Sequence, residues 1–472
     1  MRPLTVSSIG ACAAAAFASM VLYPTADHSP RTSLLAASAV DAAPGSTQSL
    51  PLLPLTGSDR SPDGGGAPGR DAAVGLPARD VRPFSLVGVV WRDPSAELHG
   101  TVQVRTRGRG EEEWSGWQDL TVHSEDAPDP GSAESTGAAR GATAPLWVGD
   151  SDGVQVRVTP GLPGVGAGSA AGSATGSSAG SSARAVPAGL PSGLRVELVD
   201  PGAGPESEDR AVEADPAVEP AGVAPDAATL EAASVNAGLV TGDGTEIRAL
   251  SKKASEAEAP QFNPGLTLAQ RPFVGPRPYI VTRRGWGADE RIRESGFRYT
   301  NTVKAAFVHH TATGNGYRCS ESGAVLRSIY RYHVKSLGWA DFGYNFAVDK
   351  CGKIYEGRAG GVTRAVLGAH TYGFNKNSMG VAVLGTYDKV SPSPAAVKAV
   401  ARLTAWKLGL YGANPRATVT MVSGGGKYAA GAAIRMRVIS GHRDGFSTDC
   451  PGARLYGELG VARVGSARLQ GR

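Results

Sequence analysis

The chain has little of what one continuous core needs. Aromatic residues fill only 6 % of its 472 positions, while 64 glycines and 32 prolines are spread through it. That balance excludes a single packed body and requires linkers between two or three domains. Apart from residues 9–23, no apolar run approaches the ~18 to 20 residues of a membrane-spanning helix, so no transmembrane span is expected elsewhere. No basic stripe is interleaved with aromatics, which argues against nucleic acid as a partner. The run Ser423-Gly424-Gly425-Gly426 lacks the strand-to-helix setting and the lysine-serine pair of a phosphate loop. Cysteine is scarce too, with four in all.

What is present is unevenly distributed. Residues 279–472 carry a net charge of +17 and the remainder −12, although the whole chain is only +5. A basic C-terminal part suits a polyanionic extracellular surface as partner. Arg2 and the alanine-rich run at 9–23 read as a secretory signal peptide over 1–30, which places the mature chain outside the cell or on its wall. Residues 31–83 hold few large apolar side chains and are expected to be disordered. From 84 to 199, short stretches alternate apolar with polar residues, at 84–91, 101–106, 154–158 and 194–199 among others. They read as the strands of a β-sandwich-like accessory domain with a Gly/Ser-rich loop at 161–192. An acidic, Ala/Pro-rich stretch at 200–278 reads as a linker. Residues 279–461 then run strand, helix, hairpin, strand, helix, strand, and 462–472 is a tail. The fold class expected is α/β, a central mixed β-sheet flanked by helices, preceded by a small all-β domain and disordered linkers.

The chemistry concentrates near the C-terminus. In Gly441-His442-Arg443-Asp444-Gly445-Phe446-Ser447-Thr448-Asp449-Cys450 a histidine and a cysteine face each other across a loop. Their spacing fits neither one helix face nor a zinc knuckle, so the loop must fold back on itself. Phe307-Val308-His309-His310 ends an apolar run and supplies a second histidine. His309, His442 and Cys450 together make a two-His, one-Cys set for Zn2+. Three protein ligands leave the fourth position open, the arrangement of a site that activates water. Signal cleavage leaves Cys319, Cys351 and Cys450. With Cys450 on zinc, Cys319 and Cys351 pair; a disulfide from Cys450 to either of them is the competing assignment.

Seven short motifs extend this reading. They are Arg284-Gly285-Trp286-Gly287-Ala288, Val308-His309-His310-Thr311, Gly343-Tyr344-Asn345-Phe346, Ile354-Tyr355-Glu356-Gly357-Arg358, Gly368-Ala369-His370, Asn377-Ser378-Met379-Gly380, and Gly441-His442-Arg443-Asp444 with Cys450-Pro451-Gly452. In order and spacing, residues 283–456 resemble the peptidoglycan recognition proteins and type 2 N-acetylmuramoyl-L-alanine amidases. The resemblance implies a monomeric zinc amidase that cuts the bond between N-acetylmuramic acid and L-alanine in peptidoglycan. With it, anionic cell-wall polymers become the partners that the basic C-terminal part suits. It puts the zinc ligands on His309, His442 and Cys450. Tyr344 and Thr448 fall where the family carries catalytic donors. His333, Gly338, Trp339 and His370 fall at substrate-facing positions, with Gly338-Trp339 resembling the pair associated with diaminopimelate-type stems. Residues 411–436 look like an insertion.

Plainer roles compete for several of these residues. Neighbours on a strand point to opposite faces, so His310 cannot share an ion with His309 and is expected to be structural. His333 and His370 are equally readable as core histidines. Asp444 suits a loop cap or a support behind the ligands, and Tyr344 without its motif is an ordinary strand tyrosine. The function alternative to hydrolysis is a non-catalytic peptidoglycan-binding protein. Position 450 separates the two, because relatives without activity typically lose the cysteine that is retained here.

Overall fold

Alternating residues in the N-terminal half do form strands, and these begin well before residue 84. The computed structural model describes residues 44–55, 73–122, 126–129, 131–132, 134, 139–161, 189–205 and 226–472. The signal expected at 1–30 and most of the loop expected at 161–192 lie outside them.

Eight strands make the first sheet: β1 (Pro44–Pro51), β2 (Leu53–Pro54), β3 (Val74–Trp91), β4 (Gly100–Gly108), β5 (Gln118–Leu120), β6 (Gly141–Ala142), β7 (Leu146–Pro160) and β8 (Arg195–Gly202). Their order is β1-β8-β3-β7-β4-β5, with β2 and β6 also on β3, in one hydrogen-bonded network. The described part of 31–83 is therefore ordered, contrary to the expectation from its composition. Its prolines sit where a sheet tolerates them. β1 lies at an edge and pairs only with β8, while Pro77 and Pro83 fall inside the register shifts of β3 against β7.

The second half of β3 is buried on both faces. Val87, Val89 and Trp91 enter the core of their own domain, and Leu86 and Val90 point the other way into a cluster with Val325, Leu326, Ile329 and Tyr332. Between them Gly88 leaves room for the Tyr332 ring, whose hydroxyl would lie 2.4 Å from any added Cβ. That hydroxyl donates to the Thr143 carbonyl at 3.1 Å. The accessory domain thus shares a hydrophobic core with the domain that follows.

The segment expected to be a linker at 200–278 is also corrected where it is described. It contains helix α1 (Ala227–Ser234), strands β9 (Val240–Thr241) and β10 (Glu246–Ile247), and helix α2 (Lys252–Phe262). Asp226 and Ser251 cap the two helices by accepting from Thr229 and Ala254 amides. Leu239, Ile247, Ala259, Leu266 and Val274 are spaced too widely to look periodic, yet all enter the main core.

The remaining strands are β11 (Ile280–Val281), β12 (Ala305–His310), β13 (Phe346–Val348), β14 (Ile354–Glu356), β15 (Ser378–Val383), β16 (Thr418–Val422), β17 (Ala433–Arg437) and β18 (Ile439–Gly441), and the helices are α3 (Ser322–Arg331), α4 (Pro394–Gly409), α5 (His442–Gly445) and α6 (Ala453–Gln470). The second sheet runs β18-β12-β15-β13-β14-β11-β10-β9, and β16 with β17 forms a separate hairpin inside 411–436. β12 is parallel to both β15 and β18, and β13 is parallel to β15 and antiparallel to β14, so the sheet is mixed. One face packs on α4 and α6 through Val308, Val381 and Val383, the other on α3 through Ala347, Ala382 and Leu384.

Ser393 caps α4 by accepting from the Ala396 amide, with Pro394 at the first helical position. The expected tail at 462–472 is instead the end of α6, where Ala462, Ser466, Ala467 and Gln470 are buried and the Gln470 amide donates to the Ala405 carbonyl.

Cys319 and Cys351 are bonded across 32 residues, joining the start of α3 to the turn between β13 and β14. Replacing both by serine is expected to lower the stability of this domain by about 3 kcal/mol through the freed chain entropy of the unfolded state. Urea unfolding followed by tryptophan fluorescence measures it, and an unmoved midpoint would contradict the expectation.

Candidate metal centre

Strand register brings the two histidines together. β12 and β18 are parallel neighbours with Val308 opposite Gly441, so the next residues, His309 and His442, emerge side by side at the carboxyl ends of adjacent strands. Alternation along β12 sends His309 to the face of Ala305 and Phe307. His310 goes to the opposite face with Ala306 and Val308, where its Nδ1 accepts from the Tyr387 amide at 3.2 Å. The structural role expected for His310 is the one it has.

The loop after β18 folds back as its spacing requires. α5 is one turn long; Asp444 accepts from the Gly441 amide at 2.9 Å and from the Tyr456 hydroxyl at 2.7 Å, a loop cap. The Arg443 amide donates to the Cys450 carbonyl at 2.9 Å, which returns Cys450 to the histidines. One donor atom from each of His309, His442 and Cys450 lies within 4.8 Å of the other two, and all three residues are buried. Cys450 Sγ is 3.7 Å from His309 Nδ1. Ligands at zinc bonding distances in a tetrahedral site stand ~3.3 to 3.8 Å apart, so the Cys450–His309 pair has that spacing and the donor set suits zinc in its chemistry.

The support behind the histidines includes a residue that the sequence did not single out. Thr371 Oγ1 lies 3.3 Å from His309 Nε2 and 3.0 Å from His370 Nδ1. Thr371 therefore holds the ring edge of His309 that faces away from Cys450, which leaves Nδ1 for a metal. His370 is fully buried, against Gly380, with its other nitrogen 3.4 Å from the Ser378 hydroxyl. Burial, reinforced by His309, holds its pKa well below the ordinary histidine value. The structure places it beneath the centre, between Thr371 and Ser378. The flanking glycines have a physical reason: a Cβ on Gly368 or Gly380 would meet the His370 ring at 2.5 Å.

An aromatic wall lines the other side. The Tyr344 ring is 5.2 Å from His309 and 5.7 Å from His333, and the His333 ring is 4.5 Å from Trp339. His333 sits in the π-type turn Tyr332–Ser336 after α3, with Nδ1 accepting from the Gly343 amide at 3.1 Å. Gly338 has φ +76°, the left-handed conformation that lets the chain reverse and lay Trp339 on Gly343. Burial first, and then the charge of Asp126, push the Tyr344 hydroxyl well above its ordinary pKa, so it stays a proton donor. The Thr448 hydroxyl accepts from the Cys450 amide at 3.1 Å, which shapes the loop that carries Cys450.

Asp126 of the accessory domain is also at this centre. Its Oδ1 is 3.1 Å from Nδ1 of both His309 and His442, and its Oδ2 accepts from the Tyr344 hydroxyl. Nothing local in the sequence marks it beyond an acidic loop in the acidic half of the chain.

Residues 299–453 match the N-acetylmuramoyl-L-alanine amidase family model, and residues 36–187 match the Rv3811 N-terminal galactose-binding domain-like family. Peptidoglycan-recognition protein SC2 of Drosophila melanogaster is 34 % identical over 183 residues, 38 % of this chain and 84 % of the relative. Human peptidoglycan recognition protein 3 is 34 % identical over 142 residues, 29 % of this chain and 39 % of the relative. Among solved structures, Drosophila PGRP-LB is 23 % identical with a TM-score of 0.31, covering 38 % of this chain and 91 % of that one.

Thr371→Val keeps the volume and removes the hydroxyl beside His309. A loss of metal affinity of about 10- to 100-fold is expected, read by competition with a chromophoric chelator. An unchanged affinity would show that His309 needs no such support.

Proposed function

The chain belongs to the peptidoglycan recognition protein family, and from that premise we propose that it is a secreted zinc-dependent N-acetylmuramoyl-L-alanine amidase. The observation that carries this reading is the convergence of His309, His442 and Cys450, with their donor atoms within 4.8 Å of one another beside the Tyr344 ring. A binder that no longer hydrolyses has no use for a buried thiol between two imidazoles. Zinc held by the three residues would supply a Lewis acid that polarises the lactyl carbonyl and acidifies water.

The protein's own groups do the rest. Tyr344, kept protonated, donates to the carbonyl oxygen as it gains negative charge, the role of an oxyanion-hole donor. Thr371 fixes the His309 ring, and Asp444 fixes the turn from which His442 projects. His333 and Trp339 back the Tyr344 ring and hold its hydroxyl in place. Water adds to the carbonyl carbon, the carbon–nitrogen bond breaks, and the nitrogen leaves as the free amine of L-alanine. Muramyl peptide is the substrate class, and the basic C-terminal part favours an anionic wall surface.

The full chain is expected to bind close to one zinc per molecule and to release stem peptides from muramyl peptide, slowly but in a chelator-sensitive way. Cys450→Ser is expected to abolish the release, and mass analysis of the products identifies the bond cut. Release that persists in that variant rejects the mechanism, and saturable binding with no release in any form of the chain favours the non-catalytic reading.

A further inference from the structure

Three carboxylates of the accessory domain, Asp126, Asp129 and Glu134, bond the C-terminal domain at and beside the metal centre. We propose that Asp126 is a fourth ligand of the metal, delivered by the accessory domain, and that Asp126, Asp129 and Glu134 together cover the approach to the centre and keep the enzyme latent. The proposal rests on the amidase reading for what the centre binds. The contacts that Asp126, Asp129 and Glu134 make stand on geometry alone.

These carboxylates of one short stretch meet three different features of the C-terminal domain. Asp126 Oδ1 is 3.1 Å from Nδ1 of both His309 and His442, so the carboxylate oxygen stands against the same two imidazoles that would hold the metal. Its second oxygen takes the Tyr344 hydroxyl, the donor that catalysis needs. Asp129 Oδ1 accepts from the Gly373 amide at 2.9 Å and from the Asn375 side chain at 2.8 Å, which also donates to the Ala127 carbonyl at 2.9 Å. Glu134 takes the buried Arg358 guanidinium with both oxygens, at 2.9 and 2.6 Å, and the Ala340 amide next to Trp339 at 3.1 Å.

Buried carboxylates at this density are stable only where every one is paired, and each of these is matched by a donor from the C-terminal domain. A stem peptide is likewise a short chain carrying carboxylates, so the segment presents to the centre the chemistry of its ligand. Substrate and Asp126 cannot both reach the centre. The Tyr344 hydroxyl bound to Asp126 cannot at the same time serve an oxyanion.

The test compares the full chain with Asp126→Ala, Asp126→Asn and Cys450→Ser. Zinc loss to excess chelator is expected to be about tenfold faster in Asp126→Ala. The visible spectrum of the cobalt-substituted chain is expected to change as water replaces the carboxylate. Hydrogen exchange at the Gly373 and Asn375 amides is expected to rise, and kcat/KM for muramyl peptide to increase about tenfold as more of the chain becomes competent. Asp126→Asn keeps the side-chain shape and guards against misfolding as the cause.

Unchanged zinc loss and an unchanged cobalt spectrum in both variants overturn the ligand. Equal kcat/KM in wild type and Asp126→Ala overturns the latency. Faster zinc loss and amide exchange in Asp126→Ala, with no release of stem peptide by any variant, support the latch and reject the amidase reading, so the two failures are distinguishable.

Discussion

The parallel pairing of β12 with β18 is the constraint on which the centre depends. Because Val308 stands opposite Gly441, the two strands deliver His309 and His442 at the same height. A shift of one residue would turn one imidazole to the far face of the sheet. Fully buried apolar residues on both faces of β12 hold the register, with Ala306 and Val308 against α4 and α6 and Phe307 against Phe374 and the hairpin of β16 and β17. The third ligand needs no strand. It is brought back by a loop whose ends are tied by Asp444 and by the amide of Arg443.

That His309, His442 and Cys450 come together was legible from the sequence because metal chemistry restricts such a set to few residue types and because each residue carries a local motif. The helix caps at Ser393 and the paired cysteines were legible for similar reasons. The order within 31–83 was not, since proline content signals disorder unless edges and bulges can be foreseen, and those are properties of the assembled sheet. Nor was the end of α6, where Gly457, Gly460 and Gly465 dilute the apolar pattern although one side of the helix packs on α4.

Asp126 and Thr371 escaped for different reasons. Thr371 follows His370 and matters only because the chain turns there, so that one hydroxyl touches two imidazoles. Asp126 lies more than 180 residues before His309, in the accessory domain. Contacts between domains leave no periodicity in either. Their trace here is the difference in net charge between the two halves of the chain.

The core shared by β3 and α3 has a further consequence. A module held by Leu86, Val90 and Tyr332 does not diffuse away from its neighbour when a surface loop lets go. Any soluble competitor for the centre then faces an opponent at a local concentration on the order of millimolar, whatever the dilution of the protein. Relief from such a competitor is reversible and independent of protein concentration.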